Sequence, residues 1–180
     1  NDMIERVMDG AKFVKATMTA TRPDLIALLE EFDLSAADCA TDELAGYVAA
    51  AVKKAIDLWP LTTFDDEIWL PVIWGLGLQR YDYVFLDEGQ DLTLSQLKLA
   101  ISALAPNGRL ITVMDPKQAI YQWRGAAKNV PQHLQDTLTT QTQKVQTFPL
   151  SVSFRCPQKV IKHVQKYVPD IEAAPNAPPG

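Results

Sequence analysis

The feature that most constrains this chain is an apolar run closed by acids, Tyr83-Val84-Phe85-Leu86-Asp87-Glu88-Gly89-Gln90-Asp91. β-Branched and aromatic residues bounded by a polar turn predict a buried parallel strand. A parallel strand needs a partner. Arg109-Leu110-Ile111-Thr112-Val113-Met114 supplies one, and it too ends in an acid, Asp115. Between them, Thr93 or Ser95 begins a helix through Leu97, Leu99, Ile101 and Leu104 that ends near Pro106-Asn107-Gly108. Asp115 follows Asp87 by 28 positions, close to the length of a strand-helix-strand crossover. That unit sets both strands parallel and both acids on one sheet edge, where open α/β folds bind ligands. The predicted fold class is therefore α/β with a parallel sheet. Adjacent carboxylates at such an edge can divide two tasks. One holds a Mg²⁺ that bridges phosphate oxygens, and the other orients or deprotonates a water. The competing reading is a strand that ends in a solvated acidic turn.

The first third reads as helical. Ile4, Val7, Met8, Ala11 and Val14 are spaced for one helix within 1–20; Thr21 caps a second, with Pro23 in its first turn and Leu25, Ile26, Leu28, Leu29 and Phe32 on one face. Leu44, Val48, Ala51, Val52, Ala55, Ile56 and Trp59 mark a third, which Thr41 or Asp42 can cap and Pro60 stops. Asp65, Asp66 and Glu67 follow two threonines, a placement that a helix dipole favours; a metal site is the alternative. Beyond Asp115, Gln118 lies near the predicted phosphate edge, and Tyr121, Trp123 and Arg124 follow closely. Rings beside an Arg form a platform for unpaired bases, unless the loop tucks Ile120 and Trp123 into the core. A further helix is predicted over 130–138, then a third apolar strand over 145–150, interrupted by Pro149. Ser151 to Pro157 leads into a helix through Val160, Ile161, Val164 and Tyr167, and the tail from Ala173 to Gly180 reads as a linker.

Composition narrows the partners. A net charge of −5 provides no broad basic field for nucleic acid, so any such contact must be local and rest on stacking. The 47% hydrophobic content is enough for a sizeable core. Cys39 and Cys156 fit no zinc or disulfide pattern, which makes a reducing cytoplasm the expected setting. The apolar stretch 68–78 is too short to span a membrane and contains Pro71 and two glycines.

Three stretches, in this order, resemble the UvrD/Rep-like branch of superfamily-one DNA helicases. Asp-Glu-Gly-Gln-Asp at 87–91 is similar to that family's second motif, usually Asp-Glu-Ala-Gln-Asp. Met114 to Ala126 is similar to the third, Gly-Asp-Pro-x-Gln-x-Ile-Tyr-x-Phe-Arg-Gly-Ala, and Leu150 to Pro157 to the fourth, Leu-x-x-Asn-Tyr-Arg-Ser. The resemblance covers about 62–167. It implies a P-loop (RecA-like) motor domain that uses ATP and Mg²⁺ and moves along single-stranded DNA. It also implies a helical insertion over 1–61, part of the first motor domain over 62–149, and entry into a second over 150–180. By the same resemblance Asp87 would hold Mg²⁺, Glu88 would activate water, and Gln118 would sense the γ-phosphate. Tyr121 and Trp123 would contact DNA, and Arg124 would link the DNA and nucleotide sites. Phe154 would lie against adenine, and Arg155 would reach the γ-phosphate like an arginine finger.

Gly89, Met114 and Ser153 depart from the usual Ala, Gly and Asn. No Gly-x-x-x-x-Gly-Lys-[Ser/Thr] occurs, so the phosphate loop and its Lys are expected upstream of this stretch. The chain alone is then expected to be inactive. The rival expectation is a non-catalytic DNA-binding or interaction module derived from a helicase.

Overall fold

Three capped or amphipathic helices open the chain: α1 (Asp2–Thr17), α2 (Arg22–Glu31) and α3 (Thr41–Asp57). The computed structural model describes residues 2–35, 39–120, 125–127, 129–140 and 144–180, the side chains of 139 and 140 excepted. Val14, Leu25, Leu28, Leu29, Leu44, Ala45 and Val48 meet with Cys39 in one apolar core. Each Leu withdrawn there is worth about 1.5–3 kcal/mol of hydrophobic stabilisation. Thr21 caps α2 as expected, its hydroxyl accepting from the Asp24 N–H at 3.3 Å. The start of α3 differs from expectation. Ala40 is its cap residue and makes no side-chain bond. Thr41 and Asp42 lie inside the first turn, and the Asp42 carboxylate is 2.9 Å from Arg22 instead.

Helix α4 (Phe64–Ile73) begins with a reciprocal cap between Thr63 and Asp66. Asp66 Oδ2 accepts from the Thr63 N–H at 3.0 Å and from its hydroxyl at 2.8 Å. The other oxygen lies 2.6 Å from Lys15 Nζ of α1, and both side chains are almost fully buried. Lys15 also sits 6.0 Å from the Trp69 ring centroid, at the outer limit of a cation–π contact. Asp66 therefore serves as helix cap and ion-pair partner together. Among the described residues no group of three or more His, Cys, Asp or Glu could hold a metal ion.

Next comes a strand-helix-strand unit: β1 (Tyr81–Leu86), α5 (Leu94–Ser102) and β2 (Leu104–Thr112). Thr93 and Gln96 form a second reciprocal cap at the start of α5. The strands are parallel neighbours, with Tyr83 opposite Arg109, Phe85 opposite Ile111 and Leu86 opposite Thr112. Pro106-Asn107-Gly108 does not end the helix. It lies within β2, in an irregularity between the pairings of Tyr81 with Leu104 and Tyr83 with Arg109. The expectation of a buried strand also needs correcting. Tyr81, Tyr83 and Phe85 are about half exposed or more, and Ile111, opposite Phe85, is exposed too. Alternate residues share one face, and among the described residues nothing covers that face of the two-stranded sheet.

Contacts divide the chain into two units, Asn1–Leu134 and Gln135–Gly180, with α6 (Val130–Thr140) running from one into the other. In the second unit the expected strand over 145–150 is absent; residues 144–150 are irregular and exposed. Pro149 lacks an N–H, and among the described residues no neighbouring strand offers a ladder. The strands are instead β3 (Val152–Ser153) and β4 (Glu172–Ala173), paired in parallel around α7 (Gln158–Val164). The expected linker is tied down as well. The carbonyls of Pro178 and Pro179 accept from the Gln158 and Lys159 N–H groups at 2.9 and 3.2 Å. Proline cannot donate, but its carbonyl can satisfy the orphan donors at a helix start.

The buried pair generates a pH prediction. Burial pushes the Asp66 carboxyl up, but the bond from Lys15 and the two from Thr63 outweigh it and hold the group below the usual range. Its stabilising contribution should therefore be full above the ordinary Asp value and disappear as pH falls through the lower, folded-state value. Urea titrations across acid pH should show a shallower loss of stability for Asp66→Asn than for the parent chain. Lys15→Ala, which strands a buried carboxylate, should cost about 3–5 kcal/mol at neutral pH.

Candidate active site at the carboxyl edge of the parallel strands

Beyond its last paired residue, β1 stays in contact with the chain leaving β2. The Val113 N–H donates to the Leu86 carbonyl at 2.8 Å, and the Gly89 N–H donates to the Val113 carbonyl at 3.0 Å. These bonds draw residues 87–91 alongside 113–118. Asp87 and Glu88 are exposed at this edge. Glu88 takes a left-handed backbone (φ 51, ψ 43) and opens a 3₁₀ turn over Gly89–Asp91. Its N–H donates to Asp87 Oδ1 at 3.0 Å. Asp115 begins a second 3₁₀ turn, Pro116–Gln118, and its Oδ1 accepts from the Lys117 N–H at 3.0 Å. Gln118 Nε2 donates to the other Asp115 oxygen at 2.5 Å.

Between the two turns lies Gln90, which is 4% exposed. Its Nε2 donates to Glu88 Oε2 at 2.7 Å, and its Oε1 accepts from the Asp115 N–H at 2.9 Å. The sequence reading placed Gln90 within a motif but gave it no role, because a partner 25 residues away leaves no mark in local spacing. Asp87, Glu88, Asp115 and Gln118 thus share one edge, with Glu88 and Asp115 joined through this amide and Gln118 bonded to Asp115.

Tyr121, Trp123 and Arg124 lie outside the described residues. The chain on the far side of them returns to the scaffold. Thr93 pairs with Ala126, the Ala127 N–H donates to the Leu92 carbonyl at 2.9 Å, and Gly125 (φ 84) lies against α1. A Cβ at Gly125 would come within 2.9 Å of Ala16. Phe154 and Arg155 belong to the second unit, and both are exposed. Their turn is closed by Ser153, whose hydroxyl accepts from the Cys156 N–H at 3.3 Å. Two apolar grooves of about 450 and 410 Å³ lie among α1–α3 and their neighbours, and none of the described candidate residues lines either.

Residues 75–139, which span both acidic strand ends, match the UvrD/REP helicase N-terminal domain family. Over that stretch the chain is UvrD/Rep-like. It is 34% identical over 110 residues to the ATP-dependent DNA helicase Rep of Salmonella typhimurium, a match covering 55% of this chain and 15% of that protein. It is 26% identical over 100 residues to a probable DNA helicase II homolog of Mycoplasma pneumoniae, covering 56% of this chain and 14% of that one. The chain therefore spans about a seventh of these relatives' length. No solved structure is a significant match. The family match takes in Asp87 through Gln118 but stops short of Phe154 and Arg155. No helix among the described residues is long and apolar enough to cross a membrane.

Two departures from the UvrD/Rep pattern meet at this edge. A Cβ built on Gly89 would lie 2.6 Å from Thr112 Oγ1 and 3.3 Å from Met114 Cε. Gly89→Ala should therefore destabilise the chain by about 1–3 kcal/mol through overpacking. Adding Thr112→Ala should recover most of that loss, since the nearest atom is a hydroxyl without a hydrogen-bond partner. Thermal melts of the single and double variants check this, and simple additivity would contradict it.

Proposed function

We propose that this chain is part of an ATP-dependent DNA helicase or translocase that couples Mg-ATP hydrolysis to movement on single-stranded DNA. The observation that carries the reading is the meeting of Asp87-Glu88 with Asp115-Gln118 at one sheet edge, inside the residues matched to the helicase family. On this reading the strand-helix-strand unit belongs to a RecA-like P-loop motor domain. Residues 1–61 are its helical insertion, 62–149 its partial core, and 150–180 the entry into a second motor domain. The protein works in the cytoplasm, in DNA repair, recombination or replication.

Asp87 suits a Mg²⁺ ligand. It is exposed at the carboxyl edge and meets the Glu88 N–H with one oxygen. Mg²⁺ takes one or two carboxylates and completes its shell with water and phosphate oxygens, so a dense acidic cage is not required. When bound, the ion would neutralise charge at the β- and γ-phosphates. Glu88 orders and deprotonates the attacking water, and Gln118 meets the γ-phosphate. Arg155 offsets charge in the transition state and Phe154 lies against adenine. Tyr121 and Trp123 contact DNA, and Arg124 joins the two sites.

Phosphoryl transfer depends on positioning and on charge neutralisation, and this sequence has no Gly-x-x-x-x-Gly-Lys-[Ser/Thr]. DNA-stimulated phosphate release from residues 1–180 alone should therefore stay near background. A longer protein that carries the phosphate loop ahead of residue 1 should turn over ATP, and Glu88→Gln in it should abolish turnover while sparing nucleotide binding. Activity from 1–180 that Glu88→Gln removes would place the phosphate site elsewhere. In the same longer protein Trp123→Ala should weaken single-strand binding by about 1–3 kcal/mol. Unchanged DNA affinity with a large drop in melting temperature would return Trp123 to the core.

A further inference from the structure

The hydrogen bonds around Gln90 form a continuous path. Gln118 Nε2 donates to Asp115 Oδ2, the Asp115 N–H donates to Gln90 Oε1, and Gln90 Nε2 donates to Glu88 Oε2. The two ends of the path are exposed and its middle is buried. We propose that Gln90 is a positioning residue that binds the Glu88 carboxylate to the 115–118 turn, so that Glu88 and Gln118 shift together. The roles of Glu88 and Gln118 rest on the function proposed above; the mechanical link between them does not.

The chemistry of the site selects a carboxamide. One end faces a carboxylate and must donate, and the other faces a backbone N–H and must accept. These partners also fix which way the amide points, since the reverse orientation would set oxygen against carboxylate and N–H against N–H. Glu at this position could still accept from Asp115 but would repel Glu88. Leu would leave both partners unmatched, and a buried group deprived of its partner is destabilising. Asn is one methylene too short to keep both bonds. Among the described residues no hydrogen bond joins Gln118 directly to Glu88 or Gln90, so the link between the two ends runs through Asp115. A bond between Gln90 and its neighbour Asp91 is long, 3.5 Å, and adds little.

The test uses the ¹⁵N-labelled chain without nucleotide. It measures the exchange rate of the Asp115 amide and the resonances of the Gln118 side-chain amide, with melting temperature recorded in parallel. In Gln90→Leu, the Asp115 amide should exchange at least about tenfold faster relative to the Leu110 and Ile111 amides of β2, and the Gln118 signals should move. In Gln90→Glu, Asp115 should stay protected while the Glu88 side chain is released. The double change Glu88→Gln with Gln90→Glu restores a donor–acceptor pair and should return the Gln118 signals toward their original positions. That reciprocal pair also decides the matter if Gln90→Leu does not fold. Unmoved Gln118 signals, no rescue by the reciprocal pair, or protection lost evenly along β2 would each overturn the proposal and leave Gln90 as ordinary fold support. In the longer protein, Gln90→Glu should lower kcat for ATP by about tenfold or more with little change in KM. If the amide path holds while that protein never hydrolyses ATP, the helicase reading fails and the coupling stands.

Discussion

The site depends on a parallel strand pair whose bonding does not stop where the strands do. Backbone bonds from Val113 to Leu86 and from Gly89 to Val113 carry the pairing past the last ladder residues. The side chain of Gln90 then takes over and reaches the Asp115 N–H. Slipping such a pair by one residue would turn every side chain to the other face and would also break all three of these contacts. The approach is close enough that Gly89 has no room for a methyl group beside Thr112. The chemistry proposed at the edge thus inherits its geometry from the register of β1 on β2.

The helical region is joined to α4 by charge and to α5 by packing. Helix α1 packs against α4 and α5 as well as against its own bundle, and its Lys15 reaches the carboxylate that caps α4. A buried pair of this kind gives little net stability when compared with a well-packed apolar substitute. Its geometry, however, fixes where α4 starts relative to α1. The residue that ends the turn at Thr63 is the same one that sets the helix against its neighbour.

Local chemistry made much of this legible in the sequence. Thr21, Thr63 and Thr93 are helix caps because their hydroxyls precede an acid or amide by three positions. The two acid-terminated apolar runs are parallel neighbours because the 27 residues between Asp87 and Asp115 hold one crossover helix and the second strand, with only short turns besides. The errors arose where a residue's partner is distant or missing. Val145, Phe148 and Leu150 have strand-like side chains but, among the described residues, no ladder to join, and they are exposed irregular chain. Pro106-Asn107-Gly108 has turn composition, yet Ala103 already ends α5 and the three residues bulge within a strand. Nothing near Gln90 in sequence reveals the Asp115 N–H that it meets. Apolar pattern reports what a residue could bury, not what is present to cover it. The open face of Tyr81, Tyr83 and Phe85 shows that difference.

The backbone at Glu88 has a consequence for how this position can vary. Its left-handed conformation (φ 51, ψ 43) suits Gly or Asn and is unfavourable for a residue with a longer side chain. Such a conformation costs on the order of 1–3 kcal/mol and persists only where the surroundings enforce it. Backbone preference and carboxylate chemistry therefore pull in opposite directions at one residue. Gly would relieve the backbone but would leave the buried Gln90 amide without its acceptor. The acid is therefore held in place by the hydrogen-bonding demand of a neighbour as well as by its own chemistry.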